Sequence, residues 1–86
     1  MTDDTIVDGL FSELMAAAKP YLNAPETEEV QNLLDDAEYE LALETFVYTF
    51  VDGGKSATQH VFSLITRLTN MLQVPLDAPI QKIDRL

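Results

Sequence analysis

The chain of 86 residues contains no cysteine, 47% hydrophobic residues, and fifteen acidic against five basic side chains, for a net charge of −10. This composition excludes disulfides and thiolate metal sites, and it excludes direct nucleic-acid binding, which needs clustered Lys and Arg. No segment reaches the roughly 20 apolar residues of a membrane-spanning helix, and the N-terminus lacks the features of a signal peptide. We expect one small cytoplasmic domain spanning residues 1–86, without membrane association.

The acidic charge is concentrated in one block. Residues 26–52 hold nine acids and no base, whereas residues 1–25 carry a net charge of −3 and residues 53–86 a net charge of +2. Because like charges repel each other and destabilise the fold, such a block often serves solubility, electrostatic steering or a basic partner.

The first helix is predicted over about residues 5–22. Ile6, Leu10 and Leu14 recur at helical spacing and define its apolar stripe, with Ala17 or Ala18 at its end. Three neighbouring residues widen this stripe: Val7, Phe11 and Met15. Pro20 is expected to stop or kink this helix, because proline has no N–H and its ring clashes with the preceding turn.

A second helix is predicted over about residues 25–36. Pro25 suits a first turn, where its missing N–H would be unpaired anyway, and glutamates follow it directly. The pair Asp35-Asp36 is expected to mark a break before the next helix, with Asp36 as its N-cap. The alternative is a single helix over residues 26–52.

The third helix, over about residues 37–52, has the strongest apolar pattern. Leu43, Phe46 and Phe50 lie on one face at helical spacing. Neighbouring apolar residues such as Leu41 widen this face so far that we expect most of the helix to be buried. The polar stripe that remains consists of Glu40, Glu44 and Tyr48. Gly53-Gly54 is expected to end the helix with a left-handed residue.

A fourth helix is predicted over about residues 57–73, with Ser56 or Thr58 as its cap. Pro75 cannot continue it, and the tail of residues 74–86 is therefore expected to be extended. Larger apolar side chains would hold the tail on the core: Val74, Leu76 and Ile80. The predicted fold is all-α, a small four-helix domain with an extended C-terminal tail.

No catalytic, metal or cofactor motif is found in the sequence. His60 is the only histidine, and a lone histidine early in an amphipathic helix is typical of a surface residue. Gly53-Gly54-Lys55-Ser56 lacks the upstream glycine and strand of a phosphate-binding loop. The acids around Asp35 are not spread over a calcium-binding loop. We expect a protein that is not an enzyme and has no cofactor.

Small acidic helical chains also include acyl and peptidyl carrier proteins. These attach their cofactor to a serine that follows an aspartate and precedes a leucine. Ser12, Ser56 and Ser63 each follow another residue type, so the carrier alternative lacks its attachment site. An acidic DNA mimic that inhibits a DNA-binding protein and a helical dimerisation module are further alternatives.

The acidic block invites two interpretations. One is a solvated face that keeps the protein soluble. The other is a binding surface, because tyrosines among carboxylates on a rigid helix are typical of interaction hot spots. For Tyr39 the core edge is the favoured position, whereas Tyr48 fits the core edge and the binding surface equally well.

A family resemblance is carried by about residues 30–78. It rests on the run LLDDAEYELALETFVYTF, on a capped turn with a leucine-rich helix after it, and on the segment QVPLD. This pattern resembles MafI-type immunity proteins and related helical antitoxins of bacterial contact-dependent or polymorphic toxin systems. The E-x-E-L-A-L-E-type positions of that family are occupied here by Glu38, Glu40, Leu41, Ala42, Leu43 and Glu44. Ala37 stands where a glycine is frequent in the family.

The resemblance implies a protein that binds and neutralises a cognate toxin, commonly a basic nuclease domain, in the cytoplasm of the producing cell. The charge pattern independently favours a basic partner, because an acidic face can mimic the phosphates that a nuclease cleft accepts. When free, the protein is expected to be a monomer or a weak dimer. The residues expected to face the partner are Asp35, Asp36, Glu38, Glu40, Glu44, Tyr48 and Asp52.

Overall fold

The computed structural model describes residues 4–86, and this part of the chain is an all-α fold with one small pair of strands. The helices are α1 (Asp4–Ala18), α2 (Ala24–Asp35), α3 (Tyr39–Asp52), α4 (Gln59–Leu72) and the short α5 (Asp77–Gln81); the strands are β1 (Ser56–Ala57) and β2 (Asp84–Arg85). The four long helices correspond to the four predicted ones, so the predicted fold class is confirmed. Residues 1–3 of the predicted domain lie outside the described part.

The long helices pack as two pairs around one core. α1 packs on α4 and α2 packs on α3, while contacts between α3 and α4 join the two pairs. The apolar faces of these helices form one cluster of buried side chains within residues 4–86. Its largest fully buried members are Phe11, Phe46 and Phe50, and the Phe46 and Phe50 rings stack with their centroids 5.0 Å apart.

The first helix ends where proline requires it to. α1 stops at Ala18, and a 3-10 turn over Lys19–Tyr21 contains Pro20. Most of the predicted apolar stripe is buried, including Val7, whereas Ile6 is 51% exposed. Val7 belongs to the buried core cluster, and the prediction that Ile6 lies on the buried stripe is wrong.

The break between the second and third helices is confirmed, but the role predicted for Asp36 is wrong. Asp36 is the C-terminal cap of α2, and Glu38 precedes α3 without capping it through its side chain. Ala37 between them has a φ of 57°. The backbone N–H groups of Ala37 and Glu38 instead satisfy the last carbonyls of α2, at Leu34 and Leu33.

The C-terminal tail is not extended throughout, which corrects the prediction. Residues Asp77–Gln81 form α5, in which Pro79 lies in the first turn, where an N–H is not needed. β2 pairs in parallel with β1, and the Leu86 N–H extends the pairing by donating to the Ala57 carbonyl at 3.0 Å. Burial of apolar side chains along the tail supplies the reason for this order: Val74, Leu76, Ile80 and Ile83.

Candidate partner-binding site

The start of α2 is fixed by a reciprocal cap. The Glu26 N–H donates to the Asn23 side-chain oxygen and the Asn23 N–H donates to a Glu26 carboxylate oxygen, both at 2.9 Å. Pro25 lies in the first turn, as predicted. This capping box holds the Glu26 side chain at the N-terminal end of the helix. Glu29 follows one turn later on the same side of α2.

The end of α3 is fixed by its two glycines. Gly54 has a φ of 62°, and the Lys55 N–H donates to the Phe50 carbonyl at 2.9 Å, which completes the helix-ending motif that Gly53-Gly54 predicts. A Cβ on Gly53 would lie 2.7 Å from the Thr49 carbonyl oxygen and 3.3 Å from Cε of Lys55. Glycine at this position therefore lets the Lys55 stem pass close to the helix end.

Lys55 ties the end of α3 to the start of α2. Its Nζ lies 3.2 Å from the Glu26 carboxylate, and both side chains are largely buried. The contact shows that α2 and α3 run antiparallel, as a helical hairpin closed by the Asp36–Glu38 turn. Hydrogen bonding from the Asn23 backbone, and then the Lys55 ammonium, lower the pKa of Glu26 against an opposing effect of burial.

A groove of about 590 Å³ runs along this hairpin, and we refer to it as the acidic groove. It lies between the first turns of α2 and one face of α3. Two acids of α2 and two of α3 line it, together with exposed apolar and hydroxyl side chains. The lining residues are Glu26, Glu29, Leu41, Glu44, Thr45, Tyr48, Thr49, Asp52 and Gly53.

The surface of the acidic groove combines apolar side chains with acids. Leu41 and Tyr48 are each 45% exposed although both are large and hydrophobic. Glu44 is half-buried between them along the helix, and Asp52 is exposed at the helix end. Thr49 donates its hydroxyl hydrogen to the Thr45 carbonyl at 2.7 Å. An apolar strip bordered by carboxylates is suited to a basic, partly apolar ligand.

Three of the predicted partner-facing residues lie in the acidic groove: Glu44, Tyr48 and Asp52. Two others, Glu38 and Glu40, line a neighbouring hollow of about 390 Å³, and Leu41 is shared by both spaces. Five of the seven predicted residues therefore line two neighbouring hollows along α3 and its first cap residue.

The remaining two predicted residues lie elsewhere. Asp35 accepts a hydrogen bond from the Gln31 amide at 3.0 Å and lines a small hollow with Phe11 and Met15 of α1. Asp36 is exposed at the C-terminal end of α2. The structure therefore does not bring these two aspartates into the acidic groove.

Six groove residues are not among the predicted partner-facing ones: Glu26, Glu29, Leu41, Thr45, Thr49 and Gly53. The two glutamates belong to the acidic block, and an antiparallel pairing of the two helices would have placed them beside the C-terminal half of α3. The sequence pattern assigns Leu41 to the buried face, but it is 45% exposed, whereas the next two residues, Ala42 and Leu43, are fully buried.

Tyr39 lies at the core edge, the position favoured for it. Its ring stacks on Phe11 of α1 with centroids 6.1 Å apart and an interplanar angle of 21°. A hydrogen bond with the Asp8 carboxylate raises the pKa of Tyr39, and burial and the charges of Asp8 and Asp4 act in the same direction. Tyr48, in contrast, lies at the surface.

Ion pairing leaves most groove acids without a cation. Within residues 4–86, Lys55 forms an ion pair with Glu26. The His60 imidazole lies 3.3 Å from the Glu13 carboxylate on the exposed surface of α4 and α1, and this contact is an ion pair only when the imidazole is protonated. Glu29, Glu44 and Asp52 form none with the described residues. Their charge is therefore directed to solvent or to a partner.

A second groove, lined mainly by apolar atoms, separates α1 from α2. It measures about 570 Å³, and its walls include Met15, Lys19, Leu22 and Glu28. Glu28 and Glu29 are adjacent on α2 and both are exposed, but they line different grooves. This separation allows the acidic groove to be tested apart from net charge.

Neither a metal centre nor a spanning helix is found in the described part. No group of three or more His, Asp or Glu side chains converges there to hold a metal ion. Among the helices of residues 4–86, none has the length and hydrophobicity needed to cross a bilayer. Comparisons of the sequence with known protein families and curated proteins, and of the structure with solved structures, find no match.

Proposed function

We propose that this protein is an immunity protein that binds and neutralises a cognate bacterial toxin, with a basic nuclease domain as the preferred partner class. The acidic groove, together with Glu40 in the neighbouring hollow, is the binding surface, and the protein acts by binding and not by catalysis. The observation that carries the proposal is the pairing of exposed Leu41 and Tyr48 with carboxylates that have no cation among the described residues. The sequence resemblance to MafI-type immunity proteins supports the toxin as the partner.

The electrostatics of the groove fit fast capture of a basic protein. Glu29, Glu44 and Asp52 present negative charge from both walls of the groove, and complementary charge raises association rates and lowers affinity for wrong partners. Leu41 and Tyr48 supply apolar surface for the partner to cover. This surface adds to the affinity from charge, because binding hot spots are side chains that are removed from water on binding.

The reading frame immediately upstream is the first place to look for the partner, which we expect to be a large secreted protein with a basic C-terminal domain. The test measures binding of that domain to the wild-type protein and to a Glu40→Lys/Glu44→Lys double variant by calorimetry. Like charges across an interface cost several kcal/mol, and about 1.4 kcal/mol is a tenfold change in Kd. We therefore expect the double variant to bind at least about 100-fold more weakly.

Circular dichroism provides the folding control. Both positions are outside the core, with Glu40 exposed and Glu44 half-buried, so the double variant should keep the helical signal of the wild type. Unchanged affinity in a folded double variant would show that this side of α3 is not the interface.

A DNA-mimic inhibitor would use the same carboxylates, and the toxin experiment separates the two functions. An immunity protein protects cells that express the toxin domain, and its complex contains that domain. A DNA mimic would leave those cells unprotected and would compete with DNA for a DNA-binding protein in an electrophoretic mobility assay.

A further inference from the structure

The acidic groove has the length and the side-chain spacing of a receptor for a helix. Its lining positions on α3 run from Leu41 through Glu44, Tyr48 and Asp52, at intervals of three or four residues. At 1.5 Å per residue, these three turns span about 16 Å. α2 contributes the opposite wall through Glu26 and Glu29, which are themselves one turn apart.

Two apolar positions in the acidic groove are spaced for the face of an amphipathic helix. Leu41 and Tyr48 lie seven residues apart on α3, a separation of about 10 Å along its axis. An incoming helix presents side chains with this separation at its own positions i and i+7. The other large exposed hydrophobic side chains of the described part, Ile6 and Leu86, do not line the groove.

Carboxylates of the acidic groove lie opposite, between and beyond this apolar pair. Glu29 lies on the α2 wall, and Glu44 and Asp52 lie on the α3 wall. At one end, Glu26 already forms an ion pair with Lys55, a cation of the protein itself. A partner's basic side chains would meet the remaining acids on both sides of its apolar stripe.

Backbone pairing of the partner is not available at the acidic groove. Both walls are helices, whose N–H and C=O groups bond within the helix except at the ends. An extended segment that binds through backbone hydrogen bonds adds to a free strand edge, and the groove-lining residues include no strand residue. Contact through side chains at helical spacing is what these walls offer.

We propose that the acidic groove binds an amphipathic basic helix of the partner, about three turns long. This helix carries apolar residues seven positions apart that contact Leu41 and Tyr48, and Lys or Arg residues on either side that meet Glu29, Glu44 and Asp52. The inference rests on the proposed function for the basic character of the partner and adds the form in which the partner binds.

Two synthetic peptides of about sixteen residues test this inference. Both contain the same leucines, arginines and helix-forming alanines; one places its leucines at i and i+7 with flanking arginines, and the other has a scrambled order of equal helicity. Titration of the isotope-labelled full chain, followed by amide NMR shifts, should show at least tenfold tighter binding of the patterned peptide, with shifts centred on Leu41 and Tyr48. Equal affinity for the two peptides would overturn the inference, as would shifts centred on the α1–α2 groove.

A matched pair of variants sharpens the test. Leu41→Ser should lower affinity for the patterned peptide by about tenfold and leave the scrambled peptide unaffected. Ile6→Ser makes the same kind of change at a comparably exposed position outside the groove and should alter neither affinity. Equal effects of the two substitutions would overturn the inference.

Failure here is distinguishable from failure of the proposed function. If the peptides bind equally but the toxin domain binds and is weakened by the Glu40→Lys/Glu44→Lys variant, the partner is basic and binds through another structure. If the patterned peptide binds in the groove but no toxin domain does, the groove is a helix receptor and the immunity function is wrong.

Discussion

Replacing Ala37 with glycine should stabilise the protein, although it removes a methyl group. Ala37 joins α2 to α3 with a φ of 57°, a left-handed conformation in which the Cβ of an L-residue crowds the following carbonyl. The Ala37 and Glu38 N–H groups complete the helix-ending motif, with N···O distances of 3.0 and 2.9 Å to Leu34 and Leu33. Glycine adopts the same backbone without strain.

The size of the effect follows from two opposing contributions. Relief of the left-handed conformation contributes about 1–2 kcal/mol, and the greater freedom of glycine in the unfolded chain costs about 0.4–1 kcal/mol. The exposed methyl group gives up no fully buried contact. We expect a net gain of about 0.5–1 kcal/mol, which raises the Tm of a domain of this size by about 3–6 °C.

Urea unfolding followed by circular dichroism measures this gain, with Gly54→Ala as the reciprocal control. Gly54 has nearly the same φ, 62°, and an added Cβ would have no atom within 4 Å, so the control changes backbone strain without adding a clash. It should lose about 1 kcal/mol. If Gly54→Ala is destabilising as expected while Ala37→Gly is neutral or destabilising, the account of the joint is wrong.

Two further predictions concern the hairpin cap and the tail. Glu26→Gln should lower stability at neutral pH, because the fold lowers the pKa of Glu26 and so favours its charged form. The difference in unfolding free energy between wild type and variant should vanish as the pH falls through the folded-state pKa of Glu26, which lies below the usual value of about 4.3. A difference that stays constant with pH in urea unfolding would contradict this. Ile83→Ala should lower the free energy of unfolding by about 2–5 kcal/mol, because Ile83 is buried in the core. Leu86→Ala, at a 75% exposed position, should change it by less than about 0.5 kcal/mol. Equal effects of the two substitutions in urea unfolding would show that the tail does not pack as described.

The long helices could be predicted from the sequence because their signals are local. Each signal affects the backbone within one or two turns of its own position. These signals are apolar residues at helical spacing, Pro20 and Gly53-Gly54 at helix ends, and Pro25 at a helix start. The structure places all four helices within a few residues of the predicted bounds.

The tail could not be predicted in the same way, because its order depends on residues far away in the chain. β2 forms only by pairing with β1, and the two strands are separated by the whole of α4. The five-residue α5 is too short to be stable alone and is held by burial of Ile80 and its packing on α3. The two prolines in that stretch predict an extended chain, but tertiary packing stabilises α5 there instead.

The candidate site could be predicted only in part, for a related reason. Helical spacing placed Glu44 and Tyr48 on one stripe, and the structure has both in the acidic groove. Spacing within one helix does not show which residues of another helix lie opposite, so Glu29 was missed. The helices that pack on α3 likewise determine which part of its broad apolar face is buried. In the structure Leu41 lies outside the buried part.

The most direct test of the central claim compares Glu29→Lys with Glu28→Lys for binding of the upstream-encoded toxin domain. The two substitutions change net charge equally on adjacent exposed residues of α2, but only Glu29 lines the acidic groove. The account predicts that Glu29→Lys raises the Kd at least about tenfold more than Glu28→Lys does. Equal Kd values for the two variants would contradict it, because net charge and not the acidic groove would then govern recognition.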